Sequence, residues 1–227
     1  MRRALSNCLA VATVALFAAN LDADELMKLD FATPVAPAGT QVHAAAGNQV
    51  GFGPAEMTIT ARSQTFAHLE IPVSAAACSV SCLVQADEEQ PDPSWWPAMS
   101  VYWDDQHWCR VGLNGRNFVV QQLPWRRGGF NETRVIPGAE PGQYHRVWIV
   151  LGARYIYFLT GPAASQRHLL FRLQRSLFPA GAPKLVMLGK GYSDGGGYPQ
   201  SHFDNSAAPD GPLVTCRFSD FVMRTSD

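Results

Sequence analysis

A chain of 227 residues, 47% of them hydrophobic, can bury the core of one sizeable domain. Its formal net charge of −1 excludes the broad basic field that nucleic acids or anionic lipids would require. Charged residues make up only 16% of the chain, while 19 glycines and 16 prolines supply frequent turns. The composition therefore favours many short strands joined by turns.

The N-terminus has the pattern of an export signal. A basic start, MRR, precedes the apolar stretch ALSNCLAVATVALFAA and the polar segment NLDADE. The stretch is short for a membrane-spanning helix, which needs roughly 20 apolar residues. We predict that residues 1–23 form a signal-like helix that is removed, leaving no stable membrane span. The mature protein would then be secreted, periplasmic or at the cell surface; the alternative is a short N-terminal helix of a cytosolic protein.

The rest of the chain alternates with a period of two and lacks helical periodicity. Residues 24–50 are rich in alanine, proline and glycine, which predicts an irregular N-terminal segment before one domain over residues 51–227. About a dozen short strands without room for crossover helices predict an all-β antiparallel sandwich or jelly roll. In chain order, the strands are MTITARS, AHLEIPV, CSVSCLVQ, MSVYWD, HWCRVGLN, NFVVQQL, TRVIPG, HRVWIVLG, RYIYFLTG, HLLFRLQ, KLVMLGKG and TCRFSDFVMR.

Four cysteines remain after the leader: Cys78, Cys82, Cys109 and Cys216. An even number in an exported chain is compatible with two disulfides. On a strand, Cys78 and Cys82 would share one face but lie about 13 Å apart, too far to bridge each other. A disulfide would therefore need Cys109 or Cys216. The alternatives are a zinc site, although the second pair of closely spaced cysteines is missing, and buried thiols that act as small hydrophobes.

The hairpin MSVYWDDQHWCRVGLN, residues 99–114, combines aromatic, acidic and apolar residues. Asp104 and Asp105 fall in its turn, where aspartate bonds the local backbone. A tight turn tipped by Asp105 and Gln106 would place Trp103 across from Trp108 and Val101 across from Arg110. That register puts these four side chains on one face of the hairpin. The opposite face is more apolar and is predicted to face the core; it carries Tyr102, Cys109, Val111 and Leu113.

The remaining aromatic residues suggest a carbohydrate site. Trp103, Trp108 and Arg110 would face away from the core, and two loop-like segments add Trp95, Trp125 and Arg126. Sugar rings stack on tryptophan while polar side chains bind the hydroxyls. We therefore predict these six residues as ligand-binding. Alternatively, the hairpin tryptophans pack in the core, because tryptophan is usually buried.

Four stretches together resemble a known superfamily. MSVYWDDQHWCRVGLN looks like a central hairpin, YHRVWIVLGARYIYFLTG like the following strand pair, APKLVMLGKGY like the near-final strand, and CRFSDFVMR like the closing strand. Spanning roughly residues 55–225, they resemble the concanavalin A-like lectin/glucanase jelly roll, in its laminin-G-like branch. The resemblance implies a jelly-roll sandwich, and a glycan or cell-surface polysaccharide as partner.

Glucanases of this fold carry E-x-D-x-(x)-E on one strand, which places carboxylates for glycoside hydrolysis on one face. This chain has no such run. Its densest acidic stretch, ADEEQPDP, has Glu88 and Glu89 as neighbours, which on a strand point to opposite faces. We therefore predict no catalytic residue.

Calcium sites occur in this fold, and the glycine-rich stretch near the C-terminus offers oxygen ligands. The candidates are Asp194, Asp204, Asn205 and Asp210, with a flexible loop as the alternative. No other cofactor is expected. The sequence thus predicts an exported, non-catalytic carbohydrate-binding domain. The alternatives are a glycoside hydrolase or lyase with dispersed carboxylates, and a structural or protein-interaction module.

Overall fold

A computed structural model describes residues 24–62, 66–74, 76–86, 97–104, 106–123, 132–190 and 213–225. The predicted signal-like helix at residues 1–23 lies outside this part of the chain. Within these ranges no helix is long and apolar enough to cross a membrane.

Short β-strands make up nearly all of the regular structure that the described residues form. Two single-turn 3-10 helices, Ala164–Gln166 and Arg175–Leu177, flank one of them. The strands are β1 (Glu25–Leu29), β2 (Gln41–Ala44), β3 (Gln49–Phe52), β4 (Met57–Arg62), β5 (Ala67–Pro72), β6 (Ala77–Ala86), β7 (Ala98–Asp104), β8 (His107–Asn114), β9 (Asn117–Leu123), β10 (Glu132–Pro137), β11 (His145–Leu151), β12 (Tyr155–Thr160), β13 (His168–Gln174), β14 (Leu185–Lys190) and β15 (Leu213–Thr225).

The strands form two antiparallel sheets. One has seven strands in the order β10-β9-β8-β7-β14-β5-β2. The other has eight strands. Seven follow the order β13-β12-β11-β6-β15-β4-β3, and the eighth, β1, also pairs with β15. The 13-residue strand β15 is long enough to pair with β4 through its first half and with β1 through its second.

The core lies between the two sheets and follows from strand alternation. In β4, Met57, Ile59 and Ala61 are fully buried while the residues between them are half-buried. Each fully buried large aliphatic or aromatic side chain contributes about 1.5–3 kcal/mol to folding. The other large fully buried residues include Leu69, Ile71, Trp108, Phe158, Phe218 and Phe221.

All twelve strands expected from the sequence are present. The predicted irregular segment at residues 24–50 is wrong in part, because it contains β1, β2 and the start of β3. These strands have only four or five residues, most of them exposed or half-buried, so their hydrophobic alternation is too weak to read.

The predicted disulfides are wrong: no disulfide joins the four described cysteines. Cys82 and Cys216 lie on adjacent strands, but the register partner of Cys216 is Ala86, four residues from Cys82. Cys109 belongs to the other sheet. Burial raises the pKa of Cys82 to about 12 and also raises the pKa of Cys109. These thiols act as small hydrophobes, one of the alternatives raised by the sequence.

Candidate functional site

The seven-stranded sheet has an outer face, turned away from the core, that carries a continuous row of side chains. Ala98 and Val119 mark this face, because they form a cluster separate from the main core. Residues paired directly across strands project to the same face, so the register identifies their neighbours. The row, here called the polar row, runs Gln41–Glu70–Met187–Ser100–Arg110–Gln121.

Arg110 and Gln121 form the β8–β9 part of the polar row. Arg110 Nε donates to Gln121 Oε1 at 2.7 Å, and a second guanidinium nitrogen donates to the same oxygen. The guanidinium carbon lies 5.5 Å from the ring centroid of Trp108. Arg110 is only 3% exposed, so this cation is held by an amide oxygen and an aromatic ring within the fold.

Ser100 occupies the centre of the polar row, on β7 between Met187 and Arg110. It is 1% exposed, and its hydroxyl has no hydrogen-bond partner among the described residues. A buried hydroxyl without a partner costs about 1–3 kcal/mol. The Ser100 hydroxyl group, at the centre of the outer face, makes no hydrogen bond to any described residue.

Glu70 and two histidines form the accessible end of the outer face. His68 Nε2 lies 3.3 Å from one oxygen of Glu70, and His43 Nε2 lies 3.5 Å from the other. The His43 and His68 rings are stacked with centroids 5.3 Å apart, and Phe66 lies 6.0 Å from His68. The Glu70 side chain is 21% exposed and that of His43 is 35% exposed, whereas that of His68 is fully buried.

The two histidines keep Glu70 ionised. The hydrogen bond with His68 lowers the pKa of Glu70 most, burial opposes it, and the nearby His68 and His43 rings lower it further. At neutral pH Glu70 can therefore accept hydrogen bonds, but it has no proton to give to a leaving group. It is the one carboxylate in the polar row, whereas glycoside hydrolysis needs a pair about 5–9 Å apart.

The β7–β8 hairpin differs from the predicted register. A bulge between Tyr102 and Asp104 pairs Tyr102 with Trp108 and Val101 with Cys109. The predicted core residues Cys109, Val111 and Leu113 are buried. The register puts Tyr102 on the same face as Trp108 and Arg110, and Val101 on the same face as Cys109. The bulge inserts one extra residue into β7. Every β7 residue before the bulge therefore points to the face opposite the one predicted.

The three predicted ligand-binding residues of this hairpin are buried. Trp108 and Arg110 do project to the outer face, but they are 1% and 3% exposed. Trp103, at the bulge, is 3% exposed, packs 4.8 Å from Phe178 and donates from Nε1 to Gly181 O at 3.1 Å. The prediction that these side chains form an exposed strip is therefore wrong, because the hairpin is covered on both faces.

The other predicted site residues lie outside the described part of the chain. These are Trp95, Trp125 and Arg126 for carbohydrate, and Asp194, Asp204, Asn205 and Asp210 for calcium. Among the residues that the structure does describe, no group of three His, Cys, Asp or Glu side chains could hold a metal ion.

Sequence reasoning missed the Glu70 cluster. One signal was available, since His68 and Glu70 alternate on β5 and Phe66 precedes the strand in the same alternation along "FAHLE". The second histidine could not be found, because His43 reaches this cluster only through the pairing of β2 with β5.

Two sandwiched antiparallel sheets of this order define the class of protein: the chain has the concanavalin A-like jelly-roll fold, as the resemblance implied. No protein-family model and no curated protein matches it.

Solved glucanases share this fold. The catalytic domain of an endo-1,3-β-glucanase (laminarinase) from Thermotoga petrophila matches with a TM-score of 0.61 and 10% identity, over 91% of this chain and 99% of that one. A prokaryotic β-1,3-1,4-glucanase (lichenase) from a mouse hindgut metagenome matches with a TM-score of 0.58 and 8% identity, over 88% of this chain and 98% of that one. A pseudo β-1,3-glucanase of Mycobacterium tuberculosis matches with a TM-score of 0.57 and 12% identity, over 89% of this chain and 99% of that one.

Proposed function

We propose that this protein is an exported domain that binds a neutral polysaccharide without cleaving it, at the outer face of its seven-stranded sheet. The observation that carries the proposal is the accessible Glu70 carboxylate, fixed by His43 and His68 beside the Phe66 ring. A fixed carboxylate accepts hydrogen bonds from sugar hydroxyls, and an adjacent ring packs against the apolar face of a sugar.

The ligand class is inferred from the fold and the site together. Solved relatives of the fold are named as acting on β-1,3- and β-1,3-1,4-glucans. Another solved structure of this fold is named a pseudo β-1,3-glucanase. The single ionised carboxylate of the polar row supports binding over hydrolysis, because an acid and a base are both needed to cleave a glycosidic bond.

Burial of the centre of this face favours a second candidate, a structural or protein-interaction module. Ser100, Trp108 and Arg110 are each no more than 3% exposed, so among the described residues of this face a ligand contacts directly only the end formed by Gln41, His43, Phe66 and Glu70. In the proposed function Arg110 and Gln121 keep the sheet face in shape and do not touch the sugar. The second candidate predicts no glycan affinity at all.

The proposal extends to compartment and cofactors. We propose that the chain acts outside the cytosol and that polysaccharide binding needs no cofactor, with a structural calcium ion at Asp194, Asp204, Asn205 and Asp210 as the one candidate to test. Binding measured before and after chelation tests the calcium, and the N-terminal residue of the protein purified from its own cells tests removal of the leader.

Isothermal titration with a soluble β-1,3-glucan and a β-1,3-1,4-glucan tests the site. Glu70→Gln removes the charge but not the shape, and should weaken binding at least about tenfold, since hydrogen bonds to charged groups are worth about 1.5–3 kcal/mol. Glu140→Gln is the matched control, because Glu140 is also exposed but lies in the β10–β11 loop. Equal losses in both variants, or no binding by the wild type, would refute the site; release of reducing ends would refute the absence of cleavage.

A further inference from the structure

The outer face of the eight-stranded sheet carries exposed arginines that the proposed function does not use. Arg167, Arg172 and Arg224 are all exposed. No carboxylate of the described residues lies within ion-pair distance of any of the three. Glu25 is the register partner of Arg224 without forming an ion pair with it, and Asp220 is taken by Arg146 and Lys28.

The strand register arranges two of these arginines at the ends of one straight row, here called the arginine row. It runs Arg172–Tyr157–Val150–Ser79–Arg224, across β13, β12, β11, β6 and β15. Adjacent strands lie about 4.8 Å apart, so the Cα atoms of its two ends are about 19 Å apart. Between the cations lie only neutral side chains, including two hydroxyl groups.

Aromatic rings hold the guanidinium groups in place. Arg172 lies 4.8 Å from the ring centroid of Tyr155. Arg167 lies 5.4 Å from the ring centroid of Trp148, whose cross-strand partner Ser81 is two residues from Ser79. Arg167 Nε also donates to the Ala164 carbonyl oxygen at 2.9 Å, which leaves its two terminal nitrogens for an anion. A guanidinium that is held against a ring loses less side-chain freedom when it binds an anion.

Like charges come together at one end of the arginine row. The pKa of Arg167 is lowered by partial desolvation of its guanidinium group and by the positive charge of Arg224. Bringing two cations together costs free energy in the unbound protein, and an anion placed between them removes that cost. In a chain whose formal net charge is −1, this concentration of exposed arginines is a local feature and not a consequence of overall composition.

We propose that the arginine row, with Arg167, binds an anionic polysaccharide that lies across the strands of the eight-stranded sheet. Charge complementarity selects an anion with several groups spaced along an extended chain, because the cations stand at both ends of a row about 19 Å long. The half-buried Tyr155 and Tyr157 rings and the Ser79 hydroxyl favour a sugar backbone over an acidic peptide, since they offer stacking and hydroxyl contacts between the charges. This site is on the opposite sheet from Glu70 and does not depend on the function proposed there.

Binding of the full chain to polygalacturonate and to dextran sulfate tests the site and distinguishes carboxylate from sulfate as the anionic group. Neutral dextran and polyglutamate serve as comparison ligands. Arg172→Gln and Arg224→Gln should each weaken binding about tenfold, and the double variant about a hundredfold. Both side chains are exposed, so thermal unfolding should be unchanged.

Arg116→Gln is the matched control, because Arg116 is an exposed arginine in the β8–β9 turn of the other sheet. It should leave anion binding unchanged, and the two row variants should leave β-glucan binding unchanged. Equal weakening by Arg116→Gln would mean that overall charge is responsible and would overturn the site. Polyglutamate binding as tight as the polysaccharides, or no binding of either anionic polysaccharide, would overturn it as well.

Discussion

A buried lysine makes the stability of this protein depend on pH in an unusual direction. Lys190, at the end of β14, is 0% exposed. Desolvation lowers its pKa from 10.5 to about 7, against the smaller effect of Cys216. Between these two values the unfolded chain binds a proton that the folded chain does not, so stability rises with pH. The rise amounts to about 2 kcal/mol between pH 7 and pH 9, because each pH unit above the folded pKa is worth about 1.4 kcal/mol.

Two buried thiols reverse this trend at higher pH. The pKa of Cys82 is raised from 9.0 to about 12, and that of Cys109 is also raised. Above pH 9 the unfolded thiols lose protons that the folded ones keep, so each contributes stability that is lost as pH rises. One lysine raises stability and two cysteines lower it, so the curve should pass through a maximum near pH 9.

Urea unfolding from pH 7 to pH 10 in a reducing buffer measures this curve. Lys190→Met keeps the aliphatic stem and removes the amine, so the rise between pH 7 and pH 9 should disappear while the fall above pH 9 remains. Cys109→Ala should flatten only the fall. A wild-type curve that declines steadily from pH 7, or a rise that persists in Lys190→Met, would refute the assignment to Lys190.

Two other substitutions test the packing of the β7–β8 hairpin. Gly112→Ala should destabilise the protein by about 3 kcal/mol or more in urea unfolding, because the new Cβ would lie 2.0 Å from the Pro97 carbonyl oxygen. Gly51→Ala, with nothing within 4 Å, should change stability little; equal effects would refute this. Trp103→Phe should cost about 2 kcal/mol and leave β-glucan affinity unchanged, since its indole only packs and donates to the Gly181 oxygen; a loss of affinity without a loss of stability would contradict it.

Strands with strong alternation could be predicted from the sequence, and the pairing between them could not. In β4 every second residue is fully buried, so its period of two is visible in MTITAR. In β7 and β8 nearly every residue is buried, so the sequence does not reveal which face meets the other sheet. The bulge at Tyr102 then decided the register, and a bulge depends on local backbone geometry that no residue pattern in this hairpin announces.

The candidate site was missed for a related reason. Its parts come from strands far apart in sequence, so His43 meets Glu70 only because the short strand β2 joins the edge of the sheet beside β5. The predicted disulfides rested on cysteine count and export alone. Cysteines 82, 109 and 216 are fully buried on different strands, where a thiol fills space as a small apolar group and needs no partner sulfur.

The two outer faces of the sandwich differ in the charged groups at their proposed sites, and this difference separates their proposed ligands. On the seven-stranded sheet the Glu70 carboxylate at the proposed site repels anions and accepts hydrogen bonds from hydroxyl groups. On the eight-stranded sheet Arg172 and Arg224 attract anions and can only donate. A polysaccharide bearing both neutral and acidic stretches could therefore contact both faces of one molecule. Mixing that polymer with the wild-type protein should cross-link the polymer chains. Glu70→Gln, or the double variant Arg172→Gln and Arg224→Gln, should need about ten or a hundred times more protein, respectively, to cross-link them.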